Sequence, residues 1–144
     1  MSNPISFIYF GTSDFSVTIL DELEAGGFLP TLVVTQEDKP QGRHLQITPP
    51  PVKVWAEKRN IAVYQPSTLK DGSALAHIRD RAPENGYDVA IVASYGKIIP
   101  DDILLLPKRE TINVHPSLLP KLRGPSPIVG AILSEEKTGV SIMH

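Results

Sequence analysis

The sequence predicts an α/β domain built on a Rossmann-like, doubly wound, mostly parallel sheet with helices on both faces. Three observations predict it. Strand-like apolar runs alternate with helical patterns along residues 1–144. One of them, Val89–Ala93 (VAIVA), is a continuous apolar run of the kind buried on both faces. The length of 144 residues, with 41% hydrophobic and 21% charged side chains, suits a single domain that buries its own core without staples.

The elements follow in order. Ser6–Phe10 reads as a first buried strand. Gly11-Thr12-Ser13-Asp14 is a turn into a helix N-cap. Phe15, Ile19 and Leu23 recur four apart beside Leu20, which predicts an amphipathic helix stopped by Gly26-Gly27. Thr31–Thr35 is a second strand. Gln36–Thr48 is largely polar, contains Pro40 and Gly42 and shows neither period, so it reads as a long loop, and Gln36–Lys53 is expected to be mobile in the free protein. Pro51–Lys58 restarts as a helix, with Pro51 in its first turn. Ile61–Tyr64 is a short strand, Leu75–Arg81 a helix, Val89–Ala93 the central strand and Asp101–Leu106 a helical turn. Glu110–Val114 is a strand ending at His115, Pro127–Leu133 is helical and Val140–Met143 begins a last strand. In doubly wound sheets ligands sit beyond the carboxyl ends of the strands, so Gly11-Thr12, Thr35, Tyr95-Gly96 and Asn113–His115 are expected to converge.

Composition excludes several classes. The chain has no cysteine, hence no disulfide and no thiolate chemistry. No apolar run approaches the length that crosses a bilayer, and Ile5–Phe10 lacks the basic flank and cleavage site of a signal peptide, so a cytoplasmic location without membrane partners is expected. A net charge of −2 argues against sequence-blind nucleic-acid binding but leaves room for a local basic patch. No histidines cluster at metal-ligand spacing, and no metal is expected.

Asn113 and His115 stand two apart at a strand end and therefore share a face. An amide can donate to a developing oxyanion, and an imidazole can move a proton near neutral pH. Together they suit acyl transfer, although an isolated Asn-x-His is common. The surrounding run narrows the reading. Asn113-Val114-His115-Pro116-Ser117-Leu118-Leu119-Pro120, followed by Arg123-Gly124-Pro125-Ser126-Pro127-Ile128, resembles the signature of the folate-dependent formyltransferases. Thr138-Gly139-Val140-Ser141-Ile142-Met143 resembles that family's next strand.

The resemblance implies that Asn113 and His115 are two of a catalytic trio and stabilise the oxyanion as an amine attacks the formyl carbon of 10-formyltetrahydrofolate, with no metal and no covalent enzyme intermediate. It places the third member, an aspartate, beyond His144, so residues 1–144 are expected to be an N-terminal catalytic domain in incomplete form, without the family's small C-terminal tRNA-binding barrel. It assigns donor contacts to Tyr95, Gly96, Ile98 and Ile99 and to Ser117, Leu118, Leu119 and Pro120. Leu104 suits either a pterin wall or plain core.

The acceptor is read elsewhere. Gly11–Phe15 resembles the first turn of the branch that formylates methionyl-initiator-tRNA. Gly11 itself fits a plain tight turn better than a phosphate cradle. Phe15 suits either contact with the methionine side chain or a core position. The run Thr35–Arg43, leading to Thr48-Pro49 and Pro51-Val52-Lys53, resembles the insertion with which that branch reaches the acceptor stem. Arg43 matches its key arginine, and Lys39 and Lys53 match neighbouring basic positions. A basic loop can meet phosphates and an unpaired stem end; solvated surface charge is the plainer reading. His44-Leu45-Gln46 stands where Gly-Lys-Lys is common, which implies weaker tRNA affinity. The alternatives are a sugar-nucleotide formyltransferase, against which this loop argues, and a non-catalytic module that binds folate or associates through an unpaired sheet edge.

Overall fold

In the computed structural model, which describes residues 4–121, 123–124, 127–134, 137 and 139–144, six strands form one sheet. They are β1 (Phe7–Gly11), β2 (Leu32–Val34), β5 (Ala62–Tyr64), β6 (Val89–Ala93), β7 (Thr111–His115) and β8 (Ser141–Met143). Their order is β5-β2-β1-β6-β7-β8. The first five are mutually parallel and β8 runs antiparallel to β7. The chain winds outward from β1 in one direction and from β6 in the other, so a topological switch point lies between them. Pro125, Ser126 and Thr138, part of the family-like runs, lie outside the described residues.

Strand alternation sends side chains to two cores. Ile8, Phe10, Leu32, Val34 and Ala90 face one way, onto Ile78 and Ala74 of α3 (Ser73–Asp80) and Ile103 of α4 (Asp101–Leu104). Phe7, Tyr9, Val33, Ile91 and Val114 face the other way, onto Leu20 of α1 (Asp14–Ala25) and Val52, Trp55 and Ala56 of α2 (Pro51–Glu57). All five residues of β1 are buried, which is why that strand reads as one apolar run. Ser13 caps α1, and Gly27 at φ +86° lets the chain leave it, with Phe28 N–H donating back to Leu23 O at 2.8 Å. Trp55 Nε1 donates to Asp21 Oδ1 at 2.8 Å and Arg59 lies 4.0 Å over the Trp55 ring, which locks α2 against α1. The last helix, α5 (Pro127–Ser134), precedes β8. Among the described residues no helix is long and apolar enough to cross a membrane.

The expected elements are present, with ends shifted by a residue or two. One region differs in kind. The stretch expected to be a structureless loop contains a hairpin, β3 (Lys39–Gln41) against β4 (Gln46–Thr48), paired from Lys39↔Thr48 to Gln41↔Gln46. The turn uses Gly42 at φ +74° and Leu45 at φ +48°. Both strands lie on the surface rather than over a core, so no alternation of apolar and polar residues is needed and none marks them in the sequence.

Candidate active site

The carboxyl ends of β1, β2, β6 and β7 point to one edge of the sheet, which brings Gly11, Val34, Ala93 and His115 to the same side. At the switch point the chain is tightly tied. Thr12 N–H donates to Ser94 O at 3.0 Å, Thr12 Oγ1 to Tyr95 O at 2.8 Å, and Ser13 Oγ to Ser94 Oγ at 2.8 Å. Gly11 is required by space: a Cβ there would overlap Ser16 Oγ and come within 2.7 Å of the Tyr9 ring. Tyr9 hydroxyl donates to Ser16 O at 2.8 Å, and burial raises its pKa well above the ordinary phenol value.

One strand further out, Asn113 pairs level with Val92 of β6 and Met143 of β8. Ile112 and Val114 belong to the α1–α2 side, so Thr111, Asn113 and His115 project to the opposite face. There Asn113 lines a cleft of about 520 Å³ with apolar walls from Val92, Ile99, Leu104 and Met143. Thr111 also lines it, and its Oγ1 donates to Leu104 O at 2.7 Å, holding β7 to the end of α4. Among the described residues the Asn113 amide has no hydrogen-bond partner.

His115 is half-buried at the last position of β7. Its Nδ1 lies 2.7 Å from Ser117 Oγ, and Ser117 is itself buried. Ser117 Oγ donates to Lys121 O at 3.3 Å, and its N–H donates to His115 O at 2.9 Å. The His115 tautomer decides which of the two donates in the 2.7 Å contact, and Nε2 bears no hydrogen bond among the described residues. Ser141 of β8 supports the turn, donating to Ser117 O at 2.7 Å and accepting from Leu119 N–H at 3.0 Å. A Cβ on Gly139 would overlap the Leu118 side chain, so the strand into β8 passes close against that turn.

The other expected site residues divide. Ile99 lines the cleft with Asn113, as does Leu104. Ile98 is 78% exposed and turns instead toward a separate groove by Ser67–Lys70. The Tyr95 ring points into the core, edge-on to Phe10 at 5.6 Å, with its hydroxyl unpartnered and its pKa pushed up to about 12 by burial. What Tyr95 offers the site edge is its carbonyl. Gly96, at φ +89°, packs so closely on the Gln36 amide that a Cβ would overlap it. Ser117 holds His115, while Leu118 and Pro120 are exposed and Leu119 is half-buried beside them.

On the hairpin side, Phe15 is half-buried against the α1–α2 core. Lys39 Nζ donates to Gln36 Oε1, and Lys53 Nζ pairs with Asp38 at 3.0 Å. Hydrogen bonds from Gln65 and then Lys53 hold the Asp38 carboxyl below its usual range. Arg43 is exposed at the hairpin turn with no partner among the described residues. A second, more polar cleft of about 310 Å³ lies between this hairpin and the start of α1, lined by Thr12, Ser13, Gln36, Lys39 and Thr48. Gln36, Gln65 and Ser141 are structural partners that sequence reasoning missed. They sit in polar stretches or at strand ends where no spacing marks them. Among the described residues no group of three or more metal-ligating side chains comes together.

Comparison with known proteins fits this geometry. The chain is 45% identical over 137 residues to the methionyl-tRNA formyltransferase of Herpetosiphon aurantiacus, covering 94% of this chain and 44% of that protein. It is 48% identical over 139 residues to the methionyl-tRNA formyltransferase of Macrococcus caseolyticus, covering 95% of this chain and 43% of that one. The chain thus spans less than half the length of these relatives. The crystal structure of phosphoribosylglycinamide formyltransferase from Bacillus halodurans shares the fold, with a TM-score of 0.70 at 19% identity over 96% of this chain and 71% of that one. Residues 4–144 match the formyl transferase family model, and the chain belongs to that family.

Proposed function

We propose that this chain carries the donor cleft and the Asn–His part of the site with which methionyl-initiator-tRNA is formylated from 10-formyltetrahydrofolate. One observation carries the reading: an amide, Asn113, and an imidazole, His115, share one face of β7 beside an apolar cleft, and neither the Asn113 amide nor His115 Nε2 has a hydrogen-bond partner among the described residues. The identity of about 45% to proteins named for this reaction supports it.

The residues fit the donor. A cleft of about 520 Å³ lies within the range of small-molecule sites, and Val92, Ile99, Leu104 and Met143 give a flat heterocycle apolar walls. Asn113 Nδ2 donates to the formyl oxygen as negative charge gathers there, an interaction that gains strength in the transition state. His115 Nε2 takes the proton that the attacking amine loses and passes it to N10 of the folate as the bond from N10 to the formyl carbon breaks, so the formylated amine and tetrahydrofolate leave; Ser117 fixes the ring through Nδ1. The acceptor end reaches this edge past the β3–β4 hairpin, where Arg43 is free to meet a phosphate. Lys39 and Lys53 serve that hairpin from its base, through Gln36 and Asp38.

A second reading has its own observation. Leu133, Val140 and Ile142 are 80%, 51% and 71% exposed along α5 and the β8 edge, a surface suited to further polypeptide. On this reading the chain binds folate and leaves transfer to a larger assembly.

The test is formyl transfer from 10-formyltetrahydrofolate to charged initiator methionyl-tRNA, run with the wild type and His115→Ala, alongside tetrahydrofolate binding by both. Turnover by the wild type that is lost in the variant, with binding retained, supports the assignment. Equal turnover in both, or folate binding that Leu104→Asp leaves unchanged, overturns the assignment. Binding to both without turnover in either selects the second reading.

A further inference from the structure

The donor cleft and the hairpin-side cleft do not share a lining residue, yet a short polar relay joins their walls. Its centre is Gln36, the second residue after β2. Its Oε1 accepts from Lys39 at the start of β3, and its Nε2 donates to Tyr95 O at 2.7 Å. Its backbone carbonyl accepts from Gln65 Nε2 at 3.0 Å, and the same nitrogen reaches Asp38 Oδ1 at 2.7 Å. Asp38 in turn pairs with Lys53 of α2. One amide side chain therefore grips the hairpin with its oxygen and the chain leaving β6 with its nitrogen.

The receiving end is arranged for this contact. Tyr95 O accepts from Gln36 and also from Thr12 Oγ1 at 2.8 Å, so three segments meet on one carbonyl. The next residue is Gly96 at φ +89°, and its missing Cβ is the space that the Gln36 amide fills. Beyond it, Lys97 and Ile99 line the donor cleft, and Lys97 Nζ donates to Pro66 O at 3.0 Å. Gln36 itself lines the hairpin-side cleft.

We propose that Gln36 is a positioning residue that couples the β3–β4 hairpin to the Tyr95–Ile99 wall of the donor cleft, so that acceptor bound at the hairpin and folate in the cleft alter each other's affinity. The coupling of the two substrates rests on the proposed function. The mechanical link between the hairpin and Tyr95 does not. The chemistry requires an amide. A carboxylate at this position keeps the bond from Lys39 but cannot donate to Tyr95 O, and an apolar side chain does neither. Linkage makes the effect reciprocal: whatever factor the acceptor imposes on folate affinity, folate imposes on acceptor affinity.

The test has a ligand-free arm and a ligand arm. A hydrogen bond to a carbonyl polarises its peptide unit, so the Gly96 amide resonance reports the bond at Tyr95 O. In the free protein, Lys39→Met is expected to move that resonance in the wild type and to leave it in place in a Gln36→Leu background, the signature of a shared path in a double-mutant cycle. An unmoved Gly96 signal, or equal movement in both backgrounds, overturns the link. In the ligand arm, tetrahydrofolate is titrated calorimetrically with and without a methionylated acceptor-stem microhelix. The microhelix is expected to change wild-type folate affinity by threefold or more, a factor that falls to about one in Gln36→Leu and in Gln36→Glu, each measured against its own affinity without RNA. A factor preserved in both variants overturns the coupling even where the link stands. Binding of neither ligand overturns the functional reading and leaves the ligand-free arm to decide the link.

Discussion

The β1–β6–β7 edge and the β3–β4 hairpin flank the same end of the sheet, but different forces hold them. Asn113 and His115 sit on β7, whose neighbour β6 pairs with the fully buried β1. Their positions are set by ladder bonds and by two cores packed on opposite faces, so they move only if the sheet moves. Arg43 and Lys39 sit on a two-stranded hairpin whose strands cover no core, tied down through Gln36, Asp38, Gln65 and Lys53. A residue that must hold a reacting atom to a fraction of an ångström belongs on the first kind of support. A residue that meets a large, variable partner tolerates the second.

The largest effect is expected on the rigid side. His115→Ala removes the proposed proton acceptor while leaving β7 paired, so on that proposal formyl transfer should fall by about 10²–10⁴-fold. Thermal midpoint and folate affinity should hardly change, because the lost ring is only half-buried. A matching loss of fold stability would mean that the histidine is structural. Next in size is Gly11→Ala. Its added methyl has no room against Ser16 and the Tyr9 ring, and overpacking of this kind costs about 1–3 kcal/mol. Chemical denaturation measures it directly. An unchanged midpoint would show that the start of α1 is looser than its hydrogen bonds suggest.

The hairpin should respond more softly and to different variables. Arg43→Ala is expected to weaken acceptor-RNA binding and to reduce its salt dependence by about one counterion, with no change in folate affinity or thermal midpoint. Filter binding across a salt series checks this. A flat response to the substitution would remove the hairpin from the acceptor surface. Acid should loosen the hairpin before the sheet. The Asp38 pKa is lowered in the fold by Gln65 and Lys53, so the stabilisation it supplies is present above the unfolded carboxylate pKa and is lost as pH falls through the lowered value. Hydrogen exchange at residues 39–48 should therefore rise at acid pH ahead of residues 89–93, beyond the intrinsic rate change. Simultaneous loss would mean that the two regions unfold as one unit.

The same division decides what the sequence could disclose. The parallel sheet was legible because burial on both faces writes itself as apolar runs, as in Phe7–Phe10 and Val89–Ala93. The Asn113–His115 pair was legible because strand alternation sends both to one side. The hairpin was not legible: Lys39-Pro40-Gln41 and Gln46-Ile47-Thr48 pair on the surface and carry no period. Neither was the Tyr95 ring, whose place in the core follows from a turn after β6, with Ser94 at φ +54°, that no local pattern signals. Ser117 was visible as part of a motif, but its hold on Nδ1 depends on how the turn after β7 closes against Ser141.

The smallest effect offers the sharpest contrast between the two sides. Tyr95 is 2% exposed and its hydroxyl has no partner among the described residues, whereas its carbonyl accepts hydrogen bonds from Thr12 and Gln36. Removing an unpaired buried hydroxyl relieves a desolvation cost of about 1 kcal/mol or more without opening a large cavity. Tyr95→Phe should therefore stabilise the protein slightly and leave formyl transfer unchanged. The pH dependence carries its own sign. The phenol is raised to about 12 in the fold against 10.0 in its ordinary state. Burial penalises its ionised form, so the wild type loses stability as pH rises above the unfolded value, from about 10 toward 12. The variant should thus keep more of its stability than the wild type across this window. A destabilised Tyr95→Phe would instead show that the hydroxyl meets a bound water, and that the core beneath the switch point is as polar as the hairpin beside it.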